Sequence, residues 1–279
     1  MIVYVALFYA VATIFLPLML WLGEYFMGLT LTGLLAAIFA NWLTLRIYVH
    51  RPLVDVGLWA NRASAENLGW GLLGGIGAAC VVLGPPLLIG AAHLVRLPED
   101  PTAGMRLFVA AGLACGAIGE ELLFRGYGFQ ALVAGLGPYA TVVPVGVLFA
   151  LAHTNNLAAS WLSTAITAGF GVVFGYAYLR SRDLWLPVGL HFGWNFTLAL
   201  FGVNISGNTI RVTGYEMSWT AGSLWSGGEY GPEASVLTIG VLGLLFVYLW
   251  KARIRRQNSP LTDPPVESAI CEASPPLLS

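Results

Sequence analysis

The chain has 279 residues, of which 57% are hydrophobic and only 10% charged, with a formal net charge of −1. Soluble domains carry about 25% charged residues, so the composition points to an integral membrane protein, and the balanced charge with no basic stripe excludes a nucleic-acid partner. Cys80, Cys115 and Cys271 show no C-x-x-C spacing, which leaves no case for a disulfide framework or a thiolate metal site.

A helix that spans a bilayer needs about 20 consecutive apolar residues. In chain order the sequence offers eight candidates, at 2–22, 28–48, 68–94, 107–133, 138–154, 158–179, 184–202 and 235–250. The first has no basic flank and no small-residue cleavage site, so it reads as a retained helix, not a signal peptide. Turn-forming runs such as Arg51-Pro52, Pro98-Glu99-Asp100-Pro101 and Gly135-Leu136-Gly137-Pro138 separate the candidates. Pro85-Pro86 is expected to kink or break the third. Gly71, Gly74, Gly75 and Gly77 in the third, and Gly171 with Gly175 in the sixth, permit close helix packing.

Lysine and arginine bias sets the orientation. With the loops assigned to alternate sides, one side receives Arg46, Arg51, Arg62, Arg180, Arg182, Lys251, Arg253, Arg255 and Arg256. The other receives Arg96, Arg106 and Arg211 together with Glu24, Glu99, Asp100, Glu216, Glu229 and Glu233. The first side is expected to be cytoplasmic, with both termini on it; in a prokaryote the membrane would be the cytoplasmic membrane. The expected fold class is therefore all-α: a polytopic bundle of about eight transmembrane helices with an intramembrane polar cavity. Residues 1–250 form one membrane domain whose polar core lies at 105–202. Residues 203–234 form an extracytoplasmic loop, rich in Gly, Trp, Tyr and Ser, read as interfacial and without a catalytic part. Residues 251–279 are a cytoplasmic tail, basic and then, from Gln257, disordered.

Inside the apolar sequence sit Glu120, Glu121, Arg125, His153, His191 and Asn195. An ionisable group in hydrocarbon costs several kcal/mol unless paired, and such residues are functional by default. Glu121 and Arg125 are four apart and share a helix face. Glu120 is rotated from Glu121 by about 100°, which leaves it free to point into a cavity as a general base, with Gly116 and Gly119 giving room beside it. Counted at 1.5 Å per residue, Glu120 lies about 20 Å and His153 about 22 Å from the cytoplasmic end of their helices, but His191 only about 10 Å. His191 is the residue whose depth fits least well. His50 and His93 read as interfacial.

The chain has no H-E-x-x-H, no G-x-S-x-G and no Gly-x-Gly-Asp. That removes the familiar zinc-helix, serine and paired-aspartate hydrolases. What remains is Glu with His activating water, and His with Asn donating to an oxyanion.

The ordered set E-E-x-x-x-R, F-x-x-x-H and H-x-x-x-N stands here as Glu120-Glu121…Arg125, Phe149…His153 and His191…Asn195. It resembles the CPBP family of intramembrane proteases, which includes the type II CaaX prenyl endopeptidases and the bacteriocin-processing or immunity (Abi) proteins. The resemblance covers about 105–202. It implies an eight-helix bundle with a membrane cavity and an intramembrane endopeptidase acting on a membrane-associated protein or peptide. By the same resemblance Glu120 with His153 activates water, His191 with Asn195 binds the oxyanion, and Glu121 with Arg125 is the supporting ion pair. No cofactor is expected, because Asn195 beside His191 makes better sense as an oxyanion donor. The alternative is one Zn²⁺ or another divalent metal on Glu120, His153 and His191, since the family is often labelled a metalloprotease. The expected partners are the lipid bilayer and a peptide cut near the cytoplasmic leaflet. Two other readings use the same residues: a non-proteolytic immunity or scaffold protein, and a small proton-coupled transporter relaying through Glu120. The second lacks the paired broken helices expected of it.

Overall fold

The computed structural model describes residues 2–22 and 25–263. Its helices are α1 (Ile2–Leu22), α2 (Tyr25–Thr44), α3 (Arg62–Leu88), α4 (Ala103–Arg125) and α5 (Tyr127–Leu136). They are followed by α6 (Pro138–Leu151), α7 (Trp161–Ser181), α8 (Trp185–Leu200), the single turn α9 (Ser223–Ser226) and α10 (Val236–Lys251). The architecture is the expected all-α membrane bundle. A helix occupies each of the eight expected spans, and among the described residues five segments are long and apolar enough to cross a bilayer. Helices α6, α8 and α10 are shorter, at 14, 16 and 16 residues.

Several boundaries differ from the sequence reading, each for a local reason. Helix α3 begins at Arg62 because the Asn61 side chain caps it, accepting from the Ser64 N–H at 2.9 Å. Pro85-Pro86 does not break it. The prolines fall in its last turn and the helix ends at Leu88. Beyond it the chain forms strand β1 (Ala92–Arg96), paired antiparallel with β2 (Tyr215–Trp219), Ala92 opposite Trp219 and Arg96 opposite Tyr215. The expected fourth span is split at Gly126, whose backbone leaves the helical region. Asn41 of α2 fastens the break: its Nδ2 donates to the Leu122 carbonyl at 3.0 Å, and its Oδ1 accepts from the Tyr127 N–H at 2.7 Å. A Cβ at residue 126 would lie 2.2 Å from that Oδ1, so only glycine fits.

Helix α8 is the centre of the bundle, packed chiefly on α3 and also against α4 and α7. Close approach comes from glycines that carry no Cβ. A methyl at Gly71 would sit 2.3 Å from the Leu186 carbonyl oxygen, and one at Gly75 would sit 2.2 Å from that of Leu190. Gly171 meets Gly146 of α6 in the same way.

The two groups of basic residues lie at opposite ends of the bundle. At the end rich in Arg and Lys, Asp183 is fully buried in the α7–α8 turn, where it accepts from the Ser64 hydroxyl (2.9 Å), the Trp185 N–H (2.6 Å) and the Gln257 amide. Burial pushes its carboxyl pKa up, and those donors oppose the shift. The expected disorder from Gln257 onward does not hold for 257–263. Gln257 is tied to Asn61 and Asp183, and Asp263 accepts from Arg256 and from the Ser259 N–H. The remainder of the tail, with Cys271, lies outside the described residues.

Candidate active site

The split at Gly126 accounts for the depth of Glu120 relative to His191. The count for Glu120 takes one straight helix to about Val133, whereas α4 ends five residues past Glu120 and α5 starts in a new direction. Helix α4, the turn after α6 and helix α8 bring their polar residues together. Glu120 Oε2 lies 3.7 Å from His153 Nε2 and 3.9 Å from His191 Nε2.

Each imidazole is oriented from behind. His153 stands in the turn just after α6, and its Nδ1 is 2.8 Å from the Phe149 carbonyl oxygen. A carbonyl only accepts, so Nδ1 carries a ring proton and Nε2 is the atom turned to Glu120. His191 Nδ1 is 3.0 Å from Glu121 Oε1, which fixes its proton in the same way. Phe174 stacks on the His191 ring, with centroids 5.0 Å apart and planes 13° from parallel. Glu120 Oε2 and the two Nε2 atoms thus converge. The separations exceed hydrogen-bond range, and Glu120 Oε2 is buried with no partner among the described residues. Such a constellation suits a bridging water that gives one hydrogen to the carboxylate and the other to a ring nitrogen.

Behind this layer Glu121 and Arg125 are both fully buried. Arg125 Nη1 is 3.2 Å from Glu121 Oε1, and Nη2 donates to the Gly171 carbonyl at 2.7 Å. The guanidinium lies over the rings of Phe149 (4.9 Å) and Phe174 (5.3 Å). Glu121 therefore does more than pair with Arg125, since it also holds His191. No spacing rule reveals that contact, because its partners are 70 residues apart. The Phe of F-x-x-x-H has two tasks, its carbonyl orienting His153 and its ring covering Arg125.

Glu120, His153 and His191 line a cavity of about 560 Å³, within the usual size range of small-ligand sites. Asn195 lines it one turn beyond His191, with Thr167 of α7 and Asn156 of the α6–α7 turn. Gly116 lines it as well, but Gly119 gives no free space: a Cβ there would meet the Leu34 backbone nitrogen at 2.9 Å. Residues 203–234 are not merely interfacial. They wall the cavity with Ile205, Ser206, Asn208, Thr209, Ile210 and Glu233. Glu233 is buried and ties this segment to α8, with Oε1 accepting from Trp194 Nε1 at 3.1 Å and Oε2 accepting from the Ser206 N–H and hydroxyl at 2.6 and 2.7 Å. Nothing in the sequence sets Glu233 apart for this tie, since the same segment holds Glu216 and Glu229 as well.

Glu, His and His are also the residue types of a catalytic zinc site. Among the described residues, however, no three His, Cys, Asp or Glu side chains are placed to hold a metal ion.

No curated protein matches the chain. A family match does exist, and it covers the stretch that carries all six polar residues. Residues 102–197 match the family described as type II CAAX prenyl endopeptidase Rce1-like.

Proposed function

We propose that the protein is an intramembrane endopeptidase in which Glu120 and His153 activate water. The observation that carries this reading is the unpartnered Glu120 Oε2 facing two imidazole Nε2 atoms inside a cavity. Water held there gives a proton to Glu120 as its oxygen attacks the peptide carbonyl, while His153 Nε2 takes a hydrogen bond from its other hydrogen. The carbonyl oxygen becomes an oxyanion. Asn195 Nδ2 and, when the ring carries both protons, His191 Nε2 donate to it. Glu121 accepts from Nδ1 of that ring and keeps it in place. Glu120 then returns its proton to the leaving amine. No step needs a metal. No Lys or Arg among the described residues lines the cavity, so it suits an internal peptide bond better than a free terminal carboxylate.

The test is cleavage of membrane-anchored peptides by purified wild type and Glu120→Gln, read by mass spectrometry with and without a chelator. The substitution removes the base and should slow cleavage by about 10²–10⁴-fold. Cleavage at the wild-type rate would reject the mechanism. Chelation is expected to leave the wild type active, and inhibition reversed by Zn²⁺ would overturn the metal-free step.

A further inference from the structure

We infer that the cavity selects a peptide with a basic side chain, lysine or arginine, a few residues from the bond that is cut, and that Glu233 is the residue that binds it. The position of the bond rests on the endopeptidase reading, whereas the charge preference follows from the cavity itself.

Charge sets the class of ligand. The carboxylates and imidazoles that line the cavity are Glu120, Glu233, His153 and His191, with no Lys or Arg among the described lining residues. Arg125 lies behind this layer, where Glu121 and the Gly171 carbonyl take its Nη atoms. Even with one imidazole protonated, two carboxylates leave the cavity net negative. Such charge acts more strongly in a low-dielectric site than in water. A basic side chain supplies the missing counter-ion, and an acidic one adds a further negative charge.

Hydrogen bonding singles out Glu233. The residue stands in the short turn Pro232–Ala234 and is buried. A carboxylate offers about four acceptor positions. Trp194 Nε1 takes one on Oε1, and the Ser206 N–H and hydroxyl take two on Oε2. All three donors are neutral, and a second position on Oε1 is unused among the described residues. The tie to α8 therefore accounts for three contacts and leaves a buried charge without a cation, which is costly. The backbone fixes the group in advance. Gly231 has φ +101°, and a Cβ there would lie 2.1 Å from the Asn204 carbonyl oxygen. The Pro232 carbonyl accepts from the Thr238 hydroxyl at 2.5 Å. A preorganised carboxylate binds without an ordering cost of its own.

Position gives the spacing. Trp194 and Asn195 are the third and fourth residues after His191, so all three share one face of α8, and all line the cavity. Glu233 thus bonds the neighbour of the residue assigned to the oxyanion. An extended peptide advances about 3.3 Å per residue, which puts the basic residue within a few positions of the scissile carbonyl.

Binding can be read without turnover. The probes are N-acetyl-lysine methylamide and N-acetyl-norleucine methylamide, whose side chains differ only by an ammonium in place of a hydrogen. Saturation-transfer difference NMR follows each on the purified full-length chain in an uncharged detergent. The lysine probe should bind at least about tenfold more tightly, the scale of one hydrogen bond to a charged group. Glu233→Gln should abolish that difference. Ser206→Ala, which loosens the same tie and leaves the charge, should keep it, and Glu120→Gln should keep most of it. Equal binding of the two probes to the wild type overturns the inference whether or not any variant folds. A preference that survives Glu233→Gln, or that disappears with Ser206→Ala or Glu120→Gln, overturns the assignment to Glu233. In cleavage of membrane-anchored peptides, lysine in place of norleucine near the cut should lower KM by a similar factor in the wild type and not in Glu233→Gln. Probe preference with no cleavage rejects the endopeptidase reading and upholds the cation site, whereas cleavage with no preference rejects the cation site alone.

Discussion

Adjacent residues on a helix point about 100° apart, and Glu120 and Glu121 show what that separation does. One carboxylate faces the cavity and two imidazoles. The other turns into the bundle, where Arg125 and His191 share its Oε1. Removing one member of a buried ion pair leaves the other uncompensated and costs about 3–5 kcal/mol, whereas replacing both with apolar groups is often close to neutral. Arg125→Met is therefore expected to be strongly destabilised in detergent unfolding, and Glu121→Leu/Arg125→Met to recover much of that loss. Activity should not recover with it, because His191 has then lost the acceptor for Nδ1. A double variant no more stable than Arg125→Met would contradict the pairing. The i, i+4 relation of Glu121 and Arg125 was legible in the sequence. The Glu121–His191 bond was not, because it depends on the break at Gly126 that brings α4 and α8 to one depth.

The helices are placed by glycines that look alike in the sequence and differ in the structure. Gly75 lies against the Leu190 carbonyl, one residue before His191, whereas a methyl added at Gly77 in the same helix would meet nothing within 4 Å. Gly75→Ala must push α8 away, at a cost of about 1–3 kcal/mol for overpacking, and should lower activity because His191 and Asn195 ride on α8. Gly77→Ala should be neutral or stabilising by up to about 1 kcal/mol, from helix propensity alone. Equal effects in thermal unfolding and cleavage assays would refute this account of the α3–α8 contact. The same contrast shows how far the sequence could be read. Apolar runs identified eight helical segments, since burial in lipid is a property of composition. Which glycine touches which carbonyl is a property of helix rotation, and composition does not encode it.

At the scale of the whole molecule, the two ends of the bundle are built differently, and the difference bears on how the cavity is covered. The basic end is locked by the buried Asp183 cluster and by ion pairs from Arg182, Arg255 and Arg256. The other end is closed over by 203–234, which is held on one side by the β1–β2 pairing and on the other by Glu233. Hydrogen bonds to a charged group are worth about 1.5–3 kcal/mol each, and Glu233 accepts three. Glu233→Ala should therefore free the segment locally without disturbing Glu120, which lies on a different element. Amide hydrogen exchange in detergent reads this directly, because each loss of about 1.4 kcal/mol raises the open population about tenfold. Exchange should accelerate around Ser206 and at 230–235 while α3 and α8 stay protected. Uniform acceleration would mean that Glu233 supports the whole bundle, and no acceleration would mean that the strand pairing alone holds the cover. The localised result would identify 203–234 as a separately movable wall of the cavity.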